Sequence, residues 1–348
     1  MNSANKTVSA WLIVVCITIF LMIVVGGVTR LTHSGLSMVD WKPIMGFIPP
    51  IGETEWQATF EAYKKFPEYL LVNKGMDLAE FKSIFYWEYA HRVLGRSIGV
   101  IFFVPMILLW RMGKIEKPMM PKLIVGLILG GLQGLMGWYM VMSGLVDIPR
   151  VSHYRLAAHL SLALIILSYL FWLILDLHKT SRFQVPVAFK TLSMLILCLV
   201  SLQIVYGAFT AGLRAGLGYN TFPLMDGNLI AEAATMMAPM WLNFFENGAM
   251  IQFVHRLLGT LLLLVVAAVL GMSIQRKLQA PVVWTIAMLV TVVFVQYVLG
   301  ILTLINYVPV SLGSIHQAVA CVVLLGAVYL VYIARDSAVD LEQGKSGD

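Results

Sequence analysis

The stretch WEYAHRVLGR, residues 87–96, opens a long apolar segment and yet carries Glu88 and His91 one helical turn apart. Near the other end of the chain, IQFVHRLLGT, residues 251–260, repeats the pattern with Gln252 and His255 at the same two places. An ionisable residue inside an apolar span is costly and by default marks a functional site. The two stretches therefore predict a duplicated membrane protein in which one copy has an acid that the other copy lacks.

The composition also places the chain in a membrane. It is 59% hydrophobic and 12% charged, whereas soluble domains carry about 25% charged residues. The net charge of +6 does not indicate nucleic-acid binding, because the Lys and Arg residues lie at the ends of apolar spans, as the positive-inside rule expects. Since Cys16, Cys198 and Cys321 all fall within apolar spans, we predict neither a disulfide framework nor a redox role for them.

Eight segments are apolar over the roughly 20 residues that a spanning helix needs. They are residues 10–29, 88–110, 121–142, 155–175, 189–212, 251–273, 281–305 and 312–334. The connections after the second, fourth and sixth spans carry more Lys and Arg than the short connections on the other side. Both termini are therefore expected in the cytoplasm, and the fold class is an all-α integral membrane protein.

The long outer connection, residues 30–87, is expected to hold two short amphipathic helices over the outer mouth of the protein. ETEWQATFEAYKKF places Trp56, Phe60 and Tyr63 on one helical face. DLAEFKSIFYW begins with Asp77 and Glu80 in the spacing of a capping box.

An internal repeat runs through the chain. Four matched features occur in the same order in both halves, namely Gly27 with Gly207 (and Pro43 with Pro223), His91 with His255, Gln133 with Gln296, and His159 with His316. A tandem repeat preserves order while loop lengths vary. The repeat predicts two pseudosymmetric four-helix bundles, residues 1–180 and 181–348, related by an axis along the membrane normal.

Four histidines, His91, His159, His255 and His316, fall at one predicted depth near the outer surface. The residue four positions after each is small, being Gly95, Ala163, Gly259 and Ala320. Residues i and i+4 share a helix face, so each imidazole is expected to have a bare patch of helix beside it. Two histidines facing each other in each bundle match bis-imidazole ligation of a haem iron.

Other metal sites match the sequence less well. A di-iron site needs several carboxylates, and Glu88 is the only one well placed in a span. A closed zinc site needs four ligands, and each half offers two histidines. His33 and His153 lie on the outer side and could contact the edge of a cofactor, but we expect them to be solvated loop residues. His178 is expected to lie on the surface.

The residues beside the histidines suggest roles in a haem site. Arg92 and Arg256 either extend to the lipid headgroups or pair with haem propionates. Glu88 is a candidate acid or base, whereas Gln252 cannot exchange a proton near neutral pH. A structural alternative for Glu88, pairing with Arg92 or a loop amide, remains open.

The motifs GGVTRLTHSGLSMVDWKPIMGFIPP, EYAHRVLGR, the second HR..G at residues 255–259 and SIHQ at residues 314–317 resemble the haem A synthase family. The resemblance covers essentially the whole chain and is to the form shared by mitochondria and related bacteria. It implies a haem b cofactor in the C-terminal half on His255 and His316, and a site for the substrate haem O in the N-terminal half on His91 and His159. It also implies that Glu88 is the essential acid.

The implied reaction oxidises the C8 methyl group of haem O to a formyl group by successive hydroxylations, giving haem A for cytochrome oxidase. It implies an inner-membrane oxidoreductase surrounded by lipid, with haem sites near the outer face and an unidentified electron donor. Candidate partners are haem O synthase and cytochrome oxidase assembly factors, and a homo-oligomer is left open. Some bacterial members carry a cysteine pair in the first outer loop, which this chain lacks.

Two other functions compete with this interpretation. A b-type electron-transfer cytochrome with two bis-histidine haems would explain the histidines but not the difference between Glu88 and Gln252. A transporter would also allow the duplication, but transporters tend to place charged groups near the middle of the membrane.

Overall fold

The protein was analysed as a computed structural model that describes residues 3–39, 48–146 and 149–335. Pro43, which the repeat pairs with Pro223, lies outside these residues. Within them the protein is helical, with no β-strand and one isolated bridge between Met225 and Asn228. The helices are α1 (Ser3–Leu31), α2 (Glu53–Tyr63), α3 (Pro67–Leu71), α4 (Leu78–Arg111), α5 (Met119–Met142), α6 (His153–Leu177), α7 (Val187–Gly212), α8 (Asn243–Glu246), α9 (Gly248–Gln275), α10 (Ala280–Ile305) and α11 (Val310–Ile333).

Eight of these helices are long and apolar enough to cross a membrane, namely α1, α4, α5, α6, α7, α9, α10 and α11. The prediction of an all-α, eight-span membrane protein is therefore confirmed. Most helix ends lie within three residues of the predicted span ends, and α11 stops at Ile333, one residue before its predicted end. The exceptions are α1 and α4, which begin seven and ten residues before their predicted spans.

The chain divides into two compact units between Leu167 and Ser168, inside α6. The predicted boundary near residue 180 lies in the connection that follows this helix. The last turns of α6 belong with the second unit because they contact α11. The rings of Trp172 and Tyr332 meet edge to face at 5.0 Å, and the Tyr332 hydroxyl donates to Asp176 over 3.0 Å.

The second unit contains a closed four-helix bundle. Its helices α7, α9, α10 and α11 each pack on the next, and α11 returns to α7. In the first unit α1 packs on α4 and α4 packs on α5, but α4 and α5 touch over a shorter stretch than α9 and α10 do.

The amphipathic helix predicted from ETEWQATFEAYKKF is confirmed as α2. Its residues Trp56, Phe60 and Tyr63 are buried against Phe81 and Phe85 of α4. The Trp56 and Phe85 rings meet edge to face at 5.0 Å, and the Phe60 and Phe81 rings stack at 4.9 Å. This aromatic cluster fixes the first long connection onto the start of α4.

The second amphipathic helix was wrongly predicted as a separate element. Its capping box is present, since Asp77 Oδ1 accepts from the Glu80 amide at 2.8 Å and Glu80 Oε2 accepts from the Asp77 amide at 3.0 Å. The helix that begins there continues without interruption to Arg111 as α4. No Gly or Pro separates residues 78–87 from the span, so nothing in the backbone ends the helix.

Replacing Trp56 with Ala should loosen the connection from α4. Trp56 is 6% exposed, and deleting a buried Trp side chain costs about 3–5 kcal/mol. Limited proteolysis of the protein in detergent should therefore cut within residues 48–72 much faster than in the wild type. Leu71→Ala, at a side chain 68% exposed, is the matched control and should change the cutting rate little. Equal rates for Trp56→Ala and the wild type would contradict the docking role.

Candidate functional site

The four span histidines form two pairs, one in each unit. His91 on α4 lies within electrostatic range of His159 on α6, and His255 on α9 lies within range of His316 on α11. The structure therefore brings together the same residues that the sequence paired. Their role as haem ligands stays a prediction.

Each of these imidazoles lies against a glycine of the helix that precedes its own in the bundle. A methyl group built on any of these glycines would meet the ring at 3.0–3.1 Å, tighter than ordinary contacts allow; the pairs are Gly26 with His91, Gly137 with His159, Gly207 with His255, and Gly300 with His316. Glycine is needed there because only a residue without Cβ lets a ring rest on the backbone of the next helix. The glycines thus fix where each imidazole sits.

These contacts correct one pairing in the repeat. We matched Gly27 with Gly207, but the glycine that contacts His91 is Gly26, one residue earlier. With that shift, Met22 becomes the counterpart of Gln203.

Two glutamines also belong to the site, which the sequence did not predict. The Nε2 atoms of Gln133 and Gln296 lie 3.4 Å from the Nε2 atoms of His159 and His316, respectively. Both glutamines were recognised as a repeated pair without a role. Their spacing was an available signal, since each precedes the histidine-contacting glycine by four residues and so shares its helix face.

Several polar atoms around the histidines are buried without a hydrogen-bond partner. Among the described residues these include Nδ1 of His159, His255 and His316 and the side-chain oxygens of Gln133, Gln203 and Gln296. Buried polar atoms are normally paired, so their concentration here indicates that something binds between the helices. No group of three or more His, Cys, Asp or Glu side chains that could hold a bare metal ion occurs in the described part of the chain. In the second unit both histidines of the pair have an unpartnered ring nitrogen, and in the first unit His159 has one. Such paired imidazoles would suit a porphyrin iron.

The expected bare patch beside each histidine is covered in two cases. A methyl group on Gly95 would meet the Met22 side chain at 3.2 Å, and one on Gly259 would meet Gln203 at 3.2 Å. The i+4 spacing showed which residues share a face, but side chains from a neighbouring helix fill the space.

Glu88 is 3% exposed and accepts four hydrogen bonds. Its Oε2 accepts from the Ser37 hydroxyl at 2.8 Å and the Met38 amide at 2.7 Å. Its Oε1 accepts from Arg92 Nε at 3.0 Å and Nη2 at 2.6 Å, and the same Nη2 donates to the Met38 carbonyl at 2.7 Å. Four donors around a carboxyl group are the pattern of an ionised carboxylate. These are the contacts of the structural alternative, so Glu88 and Arg92 together hold the connection that follows α1.

Gln252 also holds a connection, but it donates hydrogen bonds to the connection where Glu88 accepts them. Its Nε2 donates to the carbonyls of Ala215 and Gly218 at 2.8 and 2.7 Å, in the connection that follows α7. Arg256 Nη2 donates to Gln252 Oε1 at 3.1 Å and to the Tyr219 carbonyl at 2.6 Å. Both halves therefore use residues i and i+4 to hold a connection, but only the first half places a carboxylate there. The catalytic role of Glu88 stays a prediction.

The loop histidines differ from each other. His33 is exposed at the end of α1, as expected. His153 was wrongly expected to be solvated: it begins α6, is 8% exposed and lies against Tyr154 with ring centroids 4.0 Å apart.

Comparison with known proteins connects this arrangement to a family. Residues 9–328 match the family model COX15-CtaA, described as cytochrome oxidase assembly protein. The chain belongs to this family. It is 46% identical over 338 residues to a protein named heme A synthase from Parvibaculum lavamentivorans, covering 95% of this chain and 97% of that protein.

Two further family members with the same name are about as similar. The protein of Nitrosospira multiformis is 44% identical over 96% of this chain and 95% of its own length. That of Paramagnetospirillum magneticum is 45% identical over 93% and 92%. The resemblance seen in the first-loop and histidine motifs is thereby confirmed at the level of the family.

Replacing Gly300 with Val should displace His316. A single methyl group there already comes within 3.0 Å of the ring, and overpacking costs about 1–3 kcal/mol. We expect the purified variant to hold haem at least about tenfold more weakly, measured from Soret absorbance on dilution. Gly271→Val is the matched control, because a methyl group on Gly271 meets nothing within 4 Å among the described residues. Unchanged haem retention by Gly300→Val would contradict the role of this contact.

Proposed function

We propose that the protein is a haem A synthase, an oxidoreductase of the bacterial inner membrane. It converts the C8 methyl group of haem O to a formyl group by successive hydroxylations, giving haem A for cytochrome oxidase. The observation that carries the proposal is the half-buried imidazole pair in each of two units, with each ring set against a glycine. Relatives named heme A synthase, which match nearly the full length, support it.

We assign a different porphyrin to each half. His255 and His316 hold a resident haem b, and His91 and His159 receive haem O. The contacts of Glu88 and Gln252 support this division, because only the first half has a carboxylate one turn from a histidine. A site that carries out proton-coupled chemistry needs such a group, whereas a site that only holds a cofactor does not.

The oxidation needs electrons and an oxygen-derived oxidant, which haem iron supplies and side chains cannot. His91 and His159 would hold and orient the substrate, and Gly26 and Gly137 fix the positions of these two rings. The surrounding apolar helices exclude water. Glu88 begins as a carboxylate and accepts a proton at Oε2 when Ser37 and Met38 release that oxygen.

We assign the propionate contacts to Arg92 and Arg256, which directly follow the first histidine of each pair. Arg256 supports the assignment because its Nε is buried and has no hydrogen-bond partner among the described residues, although both terminal nitrogens bind loop carbonyls. An unused N–H on a guanidinium matches a carboxylate. Both arginines would thus bind a propionate while holding a connection in place.

We further propose that both termini lie in the cytoplasm and that the haem sites lie near the outer face. The distribution of Lys and Arg supports this orientation. Haem O synthase, cytochrome oxidase assembly factors and an electron donor are candidate partners, and a homo-oligomer remains open.

The proposal is tested by chromatography of the haems extracted from the purified protein, expressed in cells that make haem O and have no other source of haem A. Haem b together with haem O or haem A is the expected result. Haem b alone, with no haem A in the cells, would favour the two-haem electron-transfer cytochrome.

Replacing the histidines should separate the two sites. His255→Ala and His316→Ala each remove an axial ligand of the resident cofactor, so we expect most of the copurifying haem b to be lost. His91→Ala and His159→Ala should keep haem b and lose formation of haem A. Pyridine haemochrome spectra and haem chromatography measure both. Full haem b content in the first two variants would show that the halves are wrongly assigned.

Glu88→Gln should lower haem A formation by roughly 100-fold or more, as for loss of an acid–base group, while haem b content stays unchanged. Glu80→Gln on the same helix is the control, because Gln also serves in a capping box. A Glu88→Gln protein that still makes haem A, but is cut faster by protease in residues 32–39, would show that this side chain only holds the connection.

A further inference from the structure

The two halves differ in the contact between their second and third long helices, which we call the seam: α4–α5 in the first half and α9–α10 in the second. In the second half, Thr260 of α9 and Tyr297 of α10 share a hydrogen bond of 3.0 Å between their hydroxyl groups. The Tyr297 ring also meets Phe222 edge to face at 6.1 Å. One turn away on α10, Val293 is 3% exposed. The α9–α10 seam is therefore filled by side chains and bridged by a hydrogen bond.

The corresponding seam of the first half lacks these side chains. The repeat that pairs Gln133 with Gln296 pairs Gly134 with Tyr297 and Gly130 with Val293. A methyl group built on Gly130 or Gly134 meets no described atom within 4 Å, and both glycines are exposed. Fewer residues of α4 and α5 approach each other closely than of α9 and α10, so the α4–α5 seam is the more open of the two.

Small residues alone would not indicate a ligand, but two polar groups at this seam do. Gln133, next to Gly134, has a buried side-chain oxygen with no partner in the described chain and contacts His159. On α4, the repeat that pairs His91 with His255 places Arg96 where the second half has Thr260. An arginine inside a span marks a functional site, and Arg96 lies one turn beyond Arg92 on the same face. Arg92 is paired with Glu88 at 2.6 Å, so Arg96 adds a second guanidinium on the same helix face. A second cation beside this seam suits a lipid-soluble molecule that carries carboxylates.

We propose that the α4–α5 seam is the lateral opening through which a membrane-dissolved porphyrin with an isoprenoid chain and propionates reaches His91 and His159. Thr260 and Tyr297 close the equivalent seam of the second half and retain its porphyrin. The inference rests on the proposed function and adds the route of the substrate. It gives a physical reason why one bundle exchanges its porphyrin and the other keeps it, since a planar apolar molecule can leave a helix bundle sideways only where side chains do not bridge the helices.

Filling the open seam tests the first part. Gly134→Tyr and Gly130→Val install the residues of the second half in the full-length protein, reconstituted in lipid nanodiscs. We expect haem O uptake from donor vesicles to slow by about tenfold or more, a barrier increase of about 1.4 kcal/mol, because the added side chains occupy the opening. Copurifying haem b and the haem O occupancy at equilibrium should stay unchanged. Gly271→Val is the control for adding a β-branched side chain to an open position on a helix.

Opening the closed seam tests the second part. Tyr297→Gly should speed the loss of the resident haem to apomyoglobin by about tenfold or more, since both ring and hydrogen bond are removed. Tyr297→Phe removes only the hydroxyl group, so its effect should be a few-fold, as for one hydrogen bond.

Wild-type uptake rates in both filled variants, or wild-type haem retention in Tyr297→Gly, would overturn the inference. Reduced equilibrium occupancy with an unchanged uptake rate would also overturn it, because the glycines would then line the pocket and not its opening. If the wild-type protein takes up haem O and forms haem A while the seam variants behave normally, only the route is wrong. If the wild-type protein does neither, the proposed function itself fails.

Discussion

The contact between an imidazole and a glycine of the neighbouring helix determines the rest of the site. It occurs four times, and each time a methyl group would be too close to the ring. Because the glycine lets the backbones approach, the histidine cannot turn away and its position is set by rigid helices. The pairs His91 with His159 and His255 with His316 are thereby positioned by contact with the backbone of a neighbouring helix.

The two halves share these histidine–glycine contacts but differ in their polar contacts. Each half holds a connection with residues i and i+4, Glu88 with Arg92 and Gln252 with Arg256. The exchange of an acid for an amide reverses the direction of the hydrogen bonds to the connection, whereas the arginine donates to the side-chain oxygen in both halves. The connection is held in both cases. A duplicated contact can therefore acquire a carboxylate beside one histidine pair without losing the loop that it holds, which is how one of two similar sites can become reactive.

Much of the architecture was predictable because apolar spans and histidine spacing are local properties of the chain. The eight helices and α2 with its buried Trp56, Phe60 and Tyr63 follow from length and periodicity. The start of α4 was not predicted, because residues 78–87 were assigned to a separate short helix although no Gly or Pro separates them from the span. Gln133 and Gln296 were recognised as repeated, and each shares a helix face with the glycine four residues later. The sequence does not show that this face lies against a histidine of another helix.

The sequence by itself determined that the chain is an eight-helix membrane protein, and it predicted a duplication with two span histidines in each half. The polarity pattern contains the positions of the spans because burial in lipid requires apolar helices. The repeated motifs contain the relation between the halves. Only the tertiary structure decided which glycine lies under each histidine, that Glu88 holds Ser37 and Met38, and that one helix seam is bridged by Tyr297 while the other is open. These are distances between residues far apart in the chain, and they depend on how the helices pack.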